Sequence, residues 1–297
     1  MSKANQPRRS VLYVPGSNPR ALEKSKTVHA DGLILDLEDA VAPDAKIEAR
    51  QYVADAIAKG GFGKREVLVR VNSLSTPWGY EDLMAVAKSK ADGVVISKVQ
   101  SSAQVRQVEA IMTGIGASDD LSIWCMMETP RSILKSDEIA ESSAKLAGLI
   151  MGTSDLVKDL HALHSPTRLS MLTSLSMGVL AARAHNLAIL DGVHLDLNDD
   201  EGFEQSCLQG LELGFDGKTL IHPKTIQVAN RVFSPSLDDV AWSLKVIIAH
   251  AEATQQGQGV VLVDGKLIES LHVDEARRIV SMAERIAEMN ADLGVNG

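Results

Sequence analysis

The 297-residue sequence is poor in aromatic side chains, at 3% of the chain, and has only two cysteines. Its core must therefore be filled by Val, Ile, Leu, Ala and Met, which a hydrophobic content of 45% supplies. Cys125 and Cys207 stand far apart with no CxxC, so neither a disulfide framework nor a zinc site is indicated. No apolar run reaches transmembrane length, and the basic start MSKANQPRRS has no apolar stretch behind it to make a signal peptide. Cytoplasmic residence without a membrane partner is the expectation. Positive charge is short as well, and a net charge of −9 argues against a nucleic-acid partner. What there is gathers early: Lys3, Arg8, Arg9, Arg20, Lys24 and Lys26 face a single acid, Glu23. That concentration fits a phosphorylated small ligand, or equally a solvated basic arm.

Short β-rich runs recur with room for a helix between each pair. They are SVLYV (10–14), LILDL (33–37), VLVRV (67–71), GVVISKV (93–99), SIWCMME (122–128), GLIMG (148–152), LAILDGV (187–193) and FDGKTLI (215–221). They are continuous apolar runs, as parallel strands buried on both faces require. Helical patterns such as ALEKSKTVHA, DAKIEARQYVADAIAKG and RLSMLTSLSMGVLAARAHN separate them. Eight strands with their crossovers in this length predict an α/β fold, a (β/α)8 TIM barrel over 1–232. The first βα loop reads PGSNPR, not GxGxxG, which weakens a dinucleotide-binding reading. Over 233–297 the pattern changes to a capped helix through about Gln255, a hairpin with a DG turn in VVLVDGKLIE, and a last helix. This predicts a C-terminal helix–hairpin–helix appendage that serves as lid or oligomerisation element.

In such a barrel the C-terminal strand ends form the active face. Taken in order, they carry Tyr13 with Pro15 and Gly16, then Asp36, Glu38 and Asp39, then Arg70 and Asn72. Lys98, Glu128, Ser154 with Asp155, Asp191, and Lys218 with His222 follow. Charge beside apolar strands is costly unless paired or metal-bound, so the ring predicts a polar site. Glu128 and Asp155 come from neighbouring strands with no His or Cys nearby, which suits a hard cation such as Mg2+. The alternative is a pair of carboxylates salt-bridged to Arg70 or Lys98. Asp36, Glu38 and Asp39 fit acceptors for metal-bound waters, or partners of Arg70 and Lys98. Arg70 fits a bidentate clamp on a carboxylate, and equally a structural ion pair. Cys125, mid-strand, reads as core.

The segments RSVLYVPGSNPRALEK, LDLEDAVAPDAKIEAR, VRVNS, MMETP, MGTSDL and GFDGKTLIHPKTI resemble the HpcH/HpaI aldolase/citrate lyase superfamily, on its CoA-ester-lyase branch. The resemblance runs from about residue 9 to residue 280. It implies a TIM barrel, trimers or dimers of trimers, and Mg2+ (Mn2+ as a possible substitute) held by Glu128 and Asp155. It implies that Arg70 binds the carboxylate of a 2-oxo acid, and that Tyr13, Lys24, Ser154, Asp155, Ile221 and His222 line the cleft for substrate and coenzyme A. Some relatives have a basic residue where Asn18 stands, a contact Arg20 would then supply. The implied reaction is cleavage of a β-hydroxyacyl-CoA (malyl-, β-methylmalyl- or citramalyl-CoA) to an acyl-CoA and a 2-oxo acid, with Arg70, Glu269, Asp36 and Glu38 as the catalytic set.

The resemblance has one departure. Many such lyases carry an Asp in a GKMID-like hairpin that reaches a neighbouring subunit's site, whereas this chain reads GKLIES and offers Glu269. Together with MMET and MGTSDL, this is similar to the malyl-CoA thioesterase branch, so thioester hydrolysis is the alternative reaction. A third expectation, of another class, is the β subunit of a multi-protein citrate lyase complex.

Overall fold

Strands that are apolar on both faces must be covered on both, and the chain achieves this by closing them into a ring. A computed structural model describes residues 6–292. Its eight parallel strands are β1 (Ser10–Pro15), β2 (Gly32–Asp36), β3 (Glu66–Val71), β4 (Gly93–Ile96), β5 (Ser122–Met127), β6 (Leu146–Met151), β7 (Ala188–Asp191) and β8 (Gly217–Leu220). They form a closed barrel in sequence order, sealed where Ser10, Val11 and Leu12 of β1 register with Lys218, Thr219 and Leu220 of β8. The α/β barrel expected from the spacing of the runs is the fold observed.

Two separate apolar layers follow from the alternation of side chains along each strand. Val11, Ile34, Leu68, Val95, Trp124, Met126, Ile150 and Leu190 fill the lumen. The opposite strand faces pack against the helices in a second, larger cluster. Counting two residues beyond a lumen residue gives the next inward position. That count points Tyr13, Asp36, Arg70 and Glu128 into the top of the barrel. Asp191 directly follows the inward Leu190 and so points outward.

Helices fall where the patterns place them, at Lys46–Lys59 and Leu172–Ala184 among others, with one shortened. The helix after β1 covers only Pro19–Ser25. Beyond it, buried Arg65 takes the carbonyls of Ser25 and Val28 at 2.8 and 2.9 Å, which a longer helix would have kept for itself.

The early basic residues are mostly spoken for. Arg8 forms a buried ion pair with Glu66 at 2.6 Å, and Arg9 one with Asp31 at 2.7 Å. Both precede β1, at the end of the barrel opposite the active face, so neither serves a ligand there. Lys26 pairs with Glu23 at 3.1 Å. Lys3 lies outside the described residues. Arg20 and Lys24 keep exposed side chains.

The chain from Ser234 onward, together with Gln6 and Pro7, belongs to a compact unit distinct from Arg8–Phe233. Its helix Leu237–Gln255 starts at a capping box of Ser236 and Asp239. β9 (Val261–Val263) and β10 (Lys266–Ile268) pair antiparallel. Asp264 and Gly265 between them take φ of 48° and 78°, the left-handed pair that a two-residue hairpin turn requires. Val263 and Ile268 bury one face of the hairpin against Val246, Val273 and Ala276 of this unit's helices, while Leu262 and Leu267 on the other face stay exposed. The last helix is Ser270–Asp292. Among the described residues no helix is long and apolar enough to cross a membrane.

Candidate active site

Arg70 rises from the end of β3 into the barrel mouth, 7% exposed. Its Nε and Nη2 donate to the two oxygens of Asp36 at 2.7 and 2.6 Å, a fork-on-fork pair. Its Nη1 lies 3.1 Å from Glu38 and 3.4 Å from Asp39, and the guanidinium stacks 4.9 Å from the Tyr13 ring. Burial opposes its charge, but Tyr13, Asp36 and Glu38 outweigh that and hold it protonated above its ordinary range. Asp36 also accepts the amides of Glu38 and Ala40 at 2.9 and 3.1 Å. With both oxygens engaged and no exposure, Asp36 has the geometry of a positioning residue.

Glu38 joins Arg70 to Lys98, whose Nζ donates to it at 2.8 Å. Burial pushes the Glu38 carboxyl above its ordinary range against the pull of Arg70. Of the two roles open to Asp36, Glu38 and Asp39, partnership with Arg70 and Lys98 is the one these contacts show. The main chain of this loop is held from below by buried Lys46, which donates to the carbonyls of Leu37 and Glu38 at 2.9 and 2.6 Å. Asn72 is a brace as well, since its amide donates to Leu37 at 2.8 Å and to Asp82 at 2.6 Å.

Glu128, just past β5, is 1% exposed. Its Oε1 accepts the backbone amide of Lys98 at 2.6 Å. Its Oε2 lies over Gly152, where an added Cβ would come within 2.3 Å of Glu128 Cβ and 2.7 Å of Oε2. Burial raises the Glu128 carboxyl to about 7, the Lys98 amide and Arg70 acting against the shift and Glu38 and Asp155 adding to it. Asp155 is half-buried in the first turn of the helix Thr153–Asp159. Neither Glu128 nor Asp155 has an Arg or Lys side chain in salt-bridge contact among the described residues, so the ion-pair alternative is not what the geometry shows.

These carboxylates fit a divalent cation on two observations. Buried Ser154 Oγ, beside Asp155, has no hydrogen-bond partner. Five carboxyl groups (Asp36, Glu38, Asp39, Glu128 and Asp155) stand with three cations (Arg70, Lys98 and Lys46), and burial holds Glu38 and Glu128 above their ordinary range. Among the described residues no group of three or more His, Cys, Asp or Glu makes a complete cage. A two-carboxylate site leaves room for waters and substrate oxygens, as Mg2+ favours.

Barrel closure sets β1 beside β8, the strands that carry or precede the other residues expected at the cleft. Tyr13 lies half-buried, its hydroxyl 3.4 Å from Met126 Sδ. Lys24 is exposed on the helix Pro19–Ser25. Asn18 caps that helix by accepting the Ala21 amide at 3.1 Å, which explains a neutral residue there. Ile221 is 41% exposed. His222 accepts the Lys224 amide on Nδ1 at 3.1 Å, so the neutral ring carries its proton on Nε2. Glu269 belongs to the C-terminal unit and opens its last helix, its amide donating to His272 Nδ1 at 3.0 Å.

Two members of the expected ring do not belong to it. Asp191 and Lys218 are fully buried and paired at 2.6 Å, and Arg168 contacts Asp191 at 2.7 Å. They lie in the strand–helix layer beside the helix Asp200–Leu213, because strand alternation turns them away from the lumen. The sequence reading missed Lys46, Gly152 and Arg168. Lys46 and Gly152 stand inside the quoted motifs LDLEDAVAPDAK and MGTSDL, so position within a motif was the available signal.

The profile described as HpcH/HpaI aldolase/citrate lyase matches residues 9–223. A (3S)-malyl-CoA thioesterase of Cereibacter sphaeroides is 46% identical over 98% of this chain and 100% of its own. The citrate lyase subunit beta of Escherichia coli K12 is 34% identical, covering 93% of each chain. Among solved structures, the CitE protein of Mycobacterium tuberculosis in complex with magnesium, acetoacetate and coenzyme A aligns with a TM-score of 0.72 at 27% identity, covering 93% of this chain and 97% of that one. With the profile spanning the barrel and the relatives spanning nearly the whole sequence, this chain belongs to the HpcH/HpaI aldolase/citrate lyase family.

Proposed function

We propose that this chain acts on malyl-CoA-type β-hydroxyacyl-CoA thioesters, with Mg2+ held by Glu128 and Asp155. The observation that carries the reading is the placement of Arg70, braced by Asp36, in the same barrel mouth as those two carboxylates. Arg70 is the group proposed for a substrate carboxylate, which would share its Nη1 with Glu38 and Asp39, and Ser154 Oγ offers one further polar contact. When bound, Mg2+ supplies Lewis-acid polarisation of the hydroxyl or carbonyl oxygen of the oxo-acid half. Lys24 and Arg20 are the exposed cations proposed for the phosphates of coenzyme A. Tyr13, Ile221 and the His222 Nε2–H line the approach between β1 and β8.

Thioester hydrolysis is the leading reaction, supported by the 46% identity to (3S)-malyl-CoA thioesterases along 98% of the chain. Carbon–carbon cleavage is the second reading, placed first by the motifs alone and supported by the family match. In that reaction the substrate hydroxyl loses its proton, the bond between the hydroxyl-bearing carbon and the thioester α-carbon breaks, and the α-carbon is reprotonated. Glu269 of a neighbouring subunit is proposed to orient the hydrolytic water or to exchange that proton. The exposed Leu262 and Leu267 face of the hairpin supports docking on another copy, in a trimer or dimer of trimers. The remaining assignments, cytoplasmic residence, Mn2+ as a substitute metal and a lid role for 233–297, belong to the same reading.

The test is incubation of the purified chain alone with malyl-CoA and Mg2+. Malate with free coenzyme A marks hydrolysis, and glyoxylate with acetyl-CoA marks cleavage. Turnover only after a carrier protein is added would support the citrate lyase subunit instead. No turnover under any of these conditions would overturn the substrate class.

A further inference from the structure

Lys98 carries a backbone conformation that its side chain does not favour. Its φ is 54°, the left-handed region that residues with a Cβ rarely adopt outside Asn and Asp. From there one residue reaches two groups on opposite sides. Its amide donates to Glu128 Oε1 at 2.6 Å, and its ammonium to Glu38 Oε1 at 2.8 Å. The peptide that presents the amide is pinned on its other side, because buried Ser97 Oγ donates to the Val71 carbonyl of β3 at 2.8 Å. Glu128 is thereby divided. Oε1 is occupied toward β4, while Oε2 lies over Gly152 at the end of β6, the strand that leads to Asp155.

We infer that Lys98 is a positioning residue whose left-handed main chain, through its amide on Glu128 Oε1, leaves Oε2 as the single oxygen Glu128 offers a cation. The inference rests on the reading of Glu128 and Asp155 as metal ligands. The two arms of Lys98 have separable effects. The amide arm governs metal affinity. The ammonium arm holds Glu38, and through it Arg70, and so governs binding of the carboxylate half of the substrate.

The experiment compares Lys98→Gly, Lys98→Asn and Lys98→Val, which remove the ammonium equally but differ in tolerance of positive φ. Free and bound Mn2+ are measured by electron paramagnetic resonance on the intact protein, with Glu128→Gln as reference. Lys98→Gly and Lys98→Asn are expected to bind Mn2+ close to wild type, and Lys98→Val about 10-fold or more weakly, the usual cost of losing an outer contact to a metal ligand. KM for the thioester substrate should rise in all three. If Lys98→Val does not fold, Lys98→Ala carries the same contrast, because Ala also pays the steric cost that Gly and Asn escape. Equal Mn2+ affinity across all variants overturns the inference, and so does an equal loss in Lys98→Gly and Lys98→Val. Wild-type protein that fails to bind Mn2+, or Glu128→Gln that binds it unchanged, overturns the metal reading instead.

Discussion

Arg70 and Asp36 face each other fork to fork, with both oxygens of Asp36 within 2.7 Å of the guanidinium. The pair fixes the plane of the guanidinium, and Nη1, against Glu38 and Asp39, is the one nitrogen it leaves outside the Asp36 fork. Arg70→Lys replaces that fork with a point charge. We expect it to weaken binding of the oxo acid far more than binding of coenzyme A, both measured by calorimetry. Equal losses would remove Arg70 from the carboxylate site. Asp36→Asn keeps the size of the side chain and should give the milder version of the same phenotype.

Glu128→Gln and Asp155→Asn should each abolish Mg2+-dependent turnover without altering the circular dichroism spectrum. Chelator-resistant activity in the wild type, or full activity in both variants, would count against the metal assignment.

Gly152 provides room rather than backbone freedom, as its φ is −93°. A methyl group there meets Glu128 Cβ at 2.3 Å. Gly152→Ala is expected to cost about 1–3 kcal/mol of stability by overpacking and to lower Mn2+ affinity by displacing Glu128. A variant with unchanged affinity would show that Glu128 has slack.

The buried Asp191–Lys218–Arg168 group predicts a pH dependence of stability. Burial opposes the Asp191 charge, but Lys218 and Arg168 outweigh it and hold the carboxyl below its ordinary range. A carboxylate depressed in the folded state contributes stability above its unfolded pKa of about 3.9, and that contribution is lost as pH falls through the lower folded value. Asp191→Asn leaves the Lys218 ammonium buried without its carboxylate, at a cost of about 3–5 kcal/mol near neutral pH. Urea unfolding of both proteins should show the gap narrowing below about pH 4. A constant gap would refute the ion-pair account.

The proposed action of Glu269 in trans predicts complementation between two inactive proteins. Glu269→Gln and Asp155→Asn, mixed after dissociation and reassociation, should regain part of the activity, because some interfaces then pair an intact Glu269 with an intact metal site. Full activity of Glu269→Gln alone, or no recovery despite proven subunit exchange, would sink it.

The sequence by itself determined the barrel and the neighbouring positions of the two carboxylates proposed as metal ligands. Eight doubly apolar runs with helix-length gaps admit few ways to bury both strand faces, and Glu128 and Asp155 stand at the ends of adjacent strands. The Asp264–Gly265 turn was equally legible, since the sequence demands left-handed φ at both positions. Only the tertiary structure decided which charged strand-end residues face the mouth. Asp191 differs from Asp36 by one step of strand alternation, and the start of each strand, which sets that parity, cannot be fixed to a single residue from apolar runs. Arg8 and Arg9 likewise read as a basic arm until the barrel floor supplied Glu66 and Asp31, distant in sequence. The link from Lys98 to Glu128 was invisible for a further reason. It runs through a backbone amide, which every residue but proline possesses, and only the folded path of β4 aims that one at a carboxylate.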